Sequence, residues 1–155
     1  MIKINVIVNN INWLQFIKSP NNYIERKIKK INLKEKKFKK IDIFCTLLLS
    51  SDKEIIHLNK KFRKKNQSTD ILSFPFHPKF ELNKKLIKER EIYIGDIIIN
   101  LNKIKNKKIL KNFKIEFDRL WIHGLLHLLG YDHKKDKDFS RMNRVEKKYL
   151  KFFDE

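Results

Sequence analysis

The stretch His123-Gly-Leu-Leu-His127-Leu-Leu-Gly130-Tyr-Asp-His133 decides how this chain folds around its most distinctive side chains. Two histidines four residues apart lie about one turn apart on the same face of a helix. Gly130 is suited to end that helix, because glycine tolerates the left-handed conformation that often follows a helix C-terminus. The chain can then fold back and bring His133 toward the other two. Three imidazoles and a water are a known catalytic zinc arrangement, so we predict one metal site at His123, His127 and His133 on a helix and the following turn.

The residues around the histidine pair support this prediction. Residues 120–129 contain no Asp, Glu, Lys or Arg, in a chain that is 35% charged. A helix that is apolar all round is buried, and a buried imidazole needs a polar partner. Two core histidines bonded to backbone carbonyls are the simpler alternative, but three histidines at this spacing favour a metal.

One position separates this segment from a class of zinc proteases. The metzincin pattern H-E-x-x-H-x-x-G-x-x-H has the same His and Gly offsets. Gly124 stands where those proteases have their general-base glutamate. The pattern therefore indicates a metal hydrolase and argues against proteolysis.

The same segment resembles the H-G-x-L-H-L-x-G-Y-D-H signature of the YbeY family of bacterial endoribonucleases. Two further blocks resemble that family in the same order along the chain. They are Leu58-Asn-Lys-Lys-Phe-Arg63 with Ser68-Thr-Asp-Ile-Leu-Ser-Phe-Pro75, and Ile94-Gly-Asp-Ile97. Together the blocks span about half of the chain, from Leu58 to His133.

The resemblance implies a metal-dependent endoribonuclease that is specific for single strands. It would act in the 3′-end maturation of small-subunit ribosomal RNA and in ribosome quality control. It also implies zinc ligation by His123, His127 and His133, a functional arginine at Arg63, and RNA and the small ribosomal subunit as partners.

Two further residues are candidates for catalysis. A guanidinium can donate two parallel hydrogen bonds to phosphate oxygens and stays charged, so Arg63 could bind a scissile phosphate. From the residues alone, a surface charge at the end of a helix is the simpler interpretation of Arg63. Asp132 precedes the third histidine and can either orient an imidazole or stabilise the turn. The sequence leaves open which of these Asp132 does, and whether a water or the neighbouring 2′-hydroxyl attacks phosphorus.

Two other functions remain open at this point. The first is a different zinc hydrolase, such as a peptidase, which would need a carboxylate at the metal-activated water. The second is a non-catalytic ribosome-binding factor with a structural metal, which would show a fourth protein ligand because structural zinc sites are closed.

The net charge of +19 suits a nucleic-acid partner without establishing one. Lysine outnumbers arginine 31 to 6, and Ile, Asn and Phe are abundant, as AT-rich codons would produce. A length of 155 residues favours one domain over residues 1–155. With Cys45 as its single cysteine, and without a long apolar stretch or a signal-peptide pattern, we expect a cytoplasmic protein with no membrane contact.

The order of predicted elements is typical of an α/β fold, with an α+β-like small mixed sheet packed with helices. Strands are predicted at 2–8, 41–49, 70–74 and 92–99, with a bulge or a close backbone approach at Gly95. Longer helices are predicted from Ser19, from Ser51, from Asn112 and over 138–152, and a short one follows Asn100. Residues 77–90 fit no pattern, and the order of the strands is not predicted. The inward stripes include Phe62 on the second helix and Phe139 on the last.

Overall fold

A computed structural model describes residues 1–154, which form a four-stranded sheet and five α-helices. The strands are β1 (Ile2–Val8), β2 (Asp42–Ser50), β3 (Ile71–Pro75) and β4 (Glu91–Asn100). The helices are α1 (Pro20–Lys34), α2 (Asp52–Arg63), α3 (Lys79–Lys88), α4 (Leu110–Leu128) and α5 (Asp136–Asp154). Short 3-10 turns cover Ile11–Gln15, Lys36–Phe38 and Leu101–Lys103.

The sheet is mixed, as predicted, and its strand order is β1-β2-β4-β3. Strands β1, β2 and β4 run parallel, and β3 pairs antiparallel with β4 at the edge. Helices α1 and α4 pack on one face of the sheet, with α5 behind them, and α2 packs on the other face. Among residues 1–154, no helix is both long and apolar enough to cross a bilayer.

Alternating side chains in the strands divide the molecule into a large core and a small one. Inward residues of β2 and β4, such as Leu47 and Ile97, are fully buried against α4. On the opposite face, Ile55 of α2 packs with Leu72 and Ile98 in a second cluster. Cys45 is buried in β2, as expected for a small apolar residue.

The predicted strands and most helix starts are confirmed within one or two residues, with several corrections. Helix α4 begins at Leu110 and its N-cap is Ile109, so Asn112 lies inside the first turn. Phe62 is 59% exposed and Phe139 is 57% exposed, which corrects the inward positions predicted for both. Phe62 lies in the last turn of α2, where its ring meets Phe74 edge-on, and Phe139 precedes the first buried residue of α5.

Helix α3 was not predicted, because it buries a single residue. Only Leu82 of its ten residues is inaccessible to solvent. Leu86 is only partly buried against the core, and so short an apolar stripe does not produce the repeated spacing by which an amphipathic helix is identified. The helix nevertheless matters for the site, since Lys79 in its first turn lines the cleft described below.

The bulge predicted in β4 is confirmed. The register between β2 and β4 shifts after the pair Phe44 and Tyr93, so that Cys45 lies opposite Gly95 and Ile94 is the extra residue. Gly95 has a φ of +132°, and a Cβ at this position would overlap the carbonyl oxygen of Phe74 in the neighbouring strand. The absence of a side chain at Gly95 therefore lets β3 approach β4 closely beside the cleft.

Candidate metal centre

Gly130 ends α4 in the manner expected from the sequence. Its φ is +88°. Its N–H donates to the carbonyl of His127, and the N–H of Tyr131 donates to the carbonyl of Leu126; the nitrogen–oxygen distance is 3.0 Å in both hydrogen bonds. These two bonds form a Schellman motif, which satisfies the last carbonyls of the helix and reverses the chain. The reversal returns His133 to the end of α4.

The three predicted histidines meet at this turn. The ring centroids of His123 and His127 are 4.7 Å apart, and that of His133 is 4.9 Å from His127 and 5.8 Å from His123. One potential ligand atom from each residue lies within 4.8 Å of the other two. The cluster can therefore hold one metal ion, on the helix and turn where it was expected.

The outer nitrogens of the two helical histidines already have acceptor partners. Nδ1 of His123 lies 2.9 Å from the Oε2 of Glu146, and Nδ1 of His127 lies 3.2 Å from the carbonyl oxygen of Tyr131. An ionised carboxylate and a carbonyl can only accept hydrogen bonds. Both Nδ1 atoms are therefore placed to donate, and in a neutral imidazole this leaves the Nε2 atom with a lone pair that can bind a metal.

The spacing of these Nε2 atoms fits a shared cation. They lie 3.1 Å apart, and two nitrogens bound to a tetrahedral zinc at its usual bond lengths are separated by about 3.3 Å. Two lone pairs that face each other at this distance repel unless a cation or a proton lies between them. The three histidines could thus hold one metal ion.

The charge state of His127 also suits ligation. Burial, together with the smaller effects of the neighbouring His123 and His133, lowers the pKa of His127 to about 4. At neutral pH the imidazole of His127 is therefore uncharged and carries one proton. Metal ions bind histidine in this neutral form.

The contact made by Asp132 is with the backbone. Its Oδ1 accepts a hydrogen bond from the N–H of His133 over 2.7 Å, and this bond lowers the pKa of the carboxyl. That geometry matches the turn role left open by the sequence. The carboxylate that contacts an imidazole of the histidine cluster is instead Glu146, which was not among the residues predicted from the sequence. The sequence could have indicated Glu146 by its spacing: it is a charged residue four positions after Met142 and three before Tyr149, on the buried face of α5.

Arg63 lies in the same cleft as the histidines. The cleft has a volume of about 650 Å³, and Arg63 from the end of α2 lines it together with Ser73 of β3 and the histidine cluster. The Nη2 of Arg63 donates to the carbonyl of Ser73 over 3.1 Å. This bond uses one of five N–H donors of the guanidinium. The fold therefore brings Arg63 to the cleft, and its role in catalysis stays a prediction.

Gly124 faces the sheet. A Cβ at this position would lie 2.7 Å from the Cγ2 of Ile97 and 3.0 Å from the Cδ1 of Ile71. The absence of a side chain lets α4 pack closely on β3 and β4. A glutamate at this position would press against the buried strands, so the glycine has a packing reason of its own.

Comparisons with known proteins agree with the resemblance carried by the motifs. The family profile described as Endoribonuclease YbeY matches residues 8–154. The protein of that name from Pelagibacter ubique (strain HTCC1062) is 45% identical over 155 residues, which cover 98% of this chain and 96% of the relative. The one from Buchnera aphidicola subsp. Acyrthosiphon pisum (strain APS) is 37% identical over 130 residues, which cover 83% and 77%. The solution structure of a Thermotoga maritima protein superposes with a TM-score of 0.61 at 27% identity, over 97% of this chain and 88% of that one. The chain therefore belongs to the endoribonuclease YbeY family.

Proposed function

We propose that residues 1–155 form a single zinc-dependent endoribonuclease domain that cleaves single-stranded RNA. Its proposed task is the 3′-end maturation of small-subunit ribosomal RNA and ribosome quality control. The observation that carries the proposal is the three-histidine cluster, which opens into a cleft shared with Arg63 in a member of this family. The endoribonuclease names of the relatives support RNA as the substrate.

The residues of the cleft suit phosphodiester cleavage. His123, His127 and His133 would hold the ion through neutral nitrogens. When bound, a zinc ion lowers the pKa of a water molecule and polarises a phosphoryl oxygen. Arg63 would bind the remaining phosphate oxygens, and its guanidinium stays charged throughout the pH range of the reaction. Either a water or the 2′-hydroxyl of the preceding nucleotide can serve as the nucleophile.

The distribution of charge supports an RNA strand in this cleft. The cationic side chains that line it outnumber the acidic ones: they are Arg63, Lys65, Lys79 and Lys134 against Asp70 and Asp132. On the opposite face of the sheet, the charged residues that line the groove beside α2 are Glu54 and Asp96. An excess of positive charge on the side of the histidines is what phosphate binding requires.

The two alternative functions are less well supported. In residues 1–154 the metal cluster consists of three histidines, and no fourth His, Cys, Asp or Glu joins it. An open position suits catalysis better than a structural metal. A peptidase would need a base near the ion, and Gly124, which stands at the expected position, faces the sheet. As part of the proposal, the protein would act with the small ribosomal subunit in the cytoplasm.

Metal analysis of the purified chain combined with RNA cleavage tests the proposal. Wild-type protein should contain one metal ion per chain and cleave a single-stranded RNA. His127→Ala should lose both properties while keeping its helical circular dichroism. His57→Ala is the matched control, because His57 is exposed on α2 and is outside the cluster. Cleavage by metal-free wild type, or full activity in His127→Ala, would contradict the proposal.

A further inference from the structure

Glu146 is a carboxylate on the inward face of α5. It follows Met142 by four residues and precedes Tyr149 by three, and both of these residues are buried. Its side chain is only 13% exposed, and that of its partner His123 is 28% exposed. A carboxylate this far from water needs a compensating partner, and its Oε2 lies 2.9 Å from the Nδ1 of His123.

A cation also lies near Glu146, since the charges of Arg119 and Glu146 interact electrostatically. Arg119 is the charged neighbour on α4, but its guanidinium is already paired with both oxygens of Glu116, at 2.8 and 3.1 Å. The close hydrogen-bond partner of Glu146 is therefore the imidazole of His123. His127 is oriented differently, through the carbonyl of Tyr131 in the turn that ends its own helix.

We propose that Glu146 is a positioning residue, which holds the His123 ring so that its Nε2 faces the metal and thereby couples metal binding to the packing of α5. The inference rests on the metal centre proposed above. A carboxylate that accepts the outer N–H of a ligating histidine fixes its tautomer and raises its basicity. Glu146 supplies that contact from a helix that contains none of the three ligands.

The path of the chain strengthens the coupling. Helix α5 begins at Asp136, three residues after His133. An ion held by His133 and His123 would thus restrain α5 both at its start and, through Glu146, at its middle. Anything that binds only the docked arrangement stabilises it by mass action, so metal binding should reduce the local opening of α5.

Zinc titration of the full chain against a chromophoric chelator tests the role of Glu146. Glu146→Ala should bind Zn²⁺ 10- to 100-fold more weakly than wild type, the usual effect of losing such a partner. Glu146→Gln keeps an acceptor oxygen without the charge, so it should fall between the two. Glu81→Ala is the matched control, because Glu81 pairs at 3.5 Å with His77, a histidine beside the same cleft but outside the cluster.

Two further measurements separate positioning from a general loss of stability. Nitrogen-15 NMR should find His123 protonated at Nδ1 in the metal-free wild type and in a mixture of tautomers in Glu146→Ala. Hydrogen exchange in α5 should slow on zinc addition in the wild type and slow less in Glu146→Ala. If Glu146→Ala does not fold, the tautomer and zinc affinity of Glu146→Gln decide the matter.

The outcomes distinguish this inference from the proposed function. If wild type does not bind zinc, the metal centre itself is wrong. If wild type binds zinc and Glu146→Ala binds it equally well with His123 still protonated at Nδ1, only the role of Glu146 is wrong. An equal loss of affinity in Glu81→Ala would also overturn that role, because the effect would then be one of charge alone.

Discussion

Replacing Gly95 with alanine tests whether the bulge in β4 sets the edge of the cleft. Gly95 has a φ of +132°, a region that other residues rarely enter. Its missing Cβ would overlap the carbonyl oxygen of Phe74 and lie 3.0 Å from the backbone nitrogen of Phe76. Both obstacles are backbone atoms of the adjacent segment, so the chain cannot relieve the overlap by turning a side chain.

The expected cost has two parts. A residue other than glycine held at this φ loses about 1–3 kcal/mol. Forcing a methyl group into the packed space beside β3 adds about 1–3 kcal/mol. We therefore expect Gly95→Ala to lower the free energy of unfolding by about 2–6 kcal/mol, a large share of the stability of a small domain.

Denaturant unfolding followed by circular dichroism measures this difference, and Gly130→Ala provides the control. Gly130 also has a positive φ, of +88°, but the nearest atoms to its added Cβ are side-chain carbons of Leu82 and Lys79 at 3.4 Å. Its substitution should cost only the backbone term, about 1–2 kcal/mol. The gap between the two variants contains the steric part of the Gly95 effect together with the difference in backbone cost between the two φ values.

The reasoning would be refuted if Gly95→Ala lost no more stability than Gly130→Ala. The β3–β4 contact would then be adjustable, and the bulge would not determine where β3 lies. A second consequence is local: Ser73 of β3 accepts the hydrogen bond of Arg63. A folded Gly95→Ala variant should therefore also cleave RNA more slowly, because the wall that places the guanidinium has shifted.

Substitutions at three other positions test the cleft and the fold that supports it. Arg63→Ala should reduce RNA cleavage by about one to three orders of magnitude, with melting temperature and zinc content unchanged because Arg63 is exposed. Arg63→Lys should recover only part of the lost cleavage activity. Full activity of the alanine variant would remove Arg63 from the site. Gly124→Glu should lower the free energy of unfolding by about 3 kcal/mol or more in thermal melts, because the carboxylate would be buried against Ile97, and peptidase activity in that variant would count against our account. Hydrogen bonds from Ser68 and Asn100 lower the pKa of Asp52 below its usual 3.8. The ionised carboxylate therefore stabilises the fold above about pH 4, and this stabilisation is lost as the pH falls through the lowered pKa. Asp52→Ala should accordingly be less stable than wild type at pH 7, with the difference in denaturant midpoint shrinking toward pH 2; a difference independent of pH would contradict this.

The histidine cluster could be predicted from the sequence because everything that assembles it is local. The helix period places His123 and His127 on one face, and a single glycine with a positive φ returns His133 to them. Strand β1 was also predictable, since its alternating residues reflect one buried face, and β4 was predictable because a near-continuous run of β-branched residues is typical of a buried strand. The β4 bulge was predictable for the same reason, because a glycine interrupts an otherwise apolar run.

Features that depend on tertiary packing were not predictable in the same way. Helix α3 buries only Leu82, so its pattern is too weak to identify. Phe62 and Phe139 have the correct spacing to face inward, but they lie at helix ends where the core does not reach them. The order of the strands depends on how α1 and α4 cover the sheet, which no local pattern specifies.

The two helical histidines differ in this respect, and the difference shows how the site is built. The acceptor for Nδ1 of His127 is the carbonyl of Tyr131, which the turn after α4 positions by itself. The acceptor for Nδ1 of His123 comes from Glu146, 23 residues further along the chain on another helix. A segment containing only α4 and its turn would therefore include all three histidines, but it would contain the hydrogen-bond acceptor for His127 and not the one for His123. Folding of α5 supplies the other, so the ligand set is encoded locally while the alignment of its rings is a property of the complete fold.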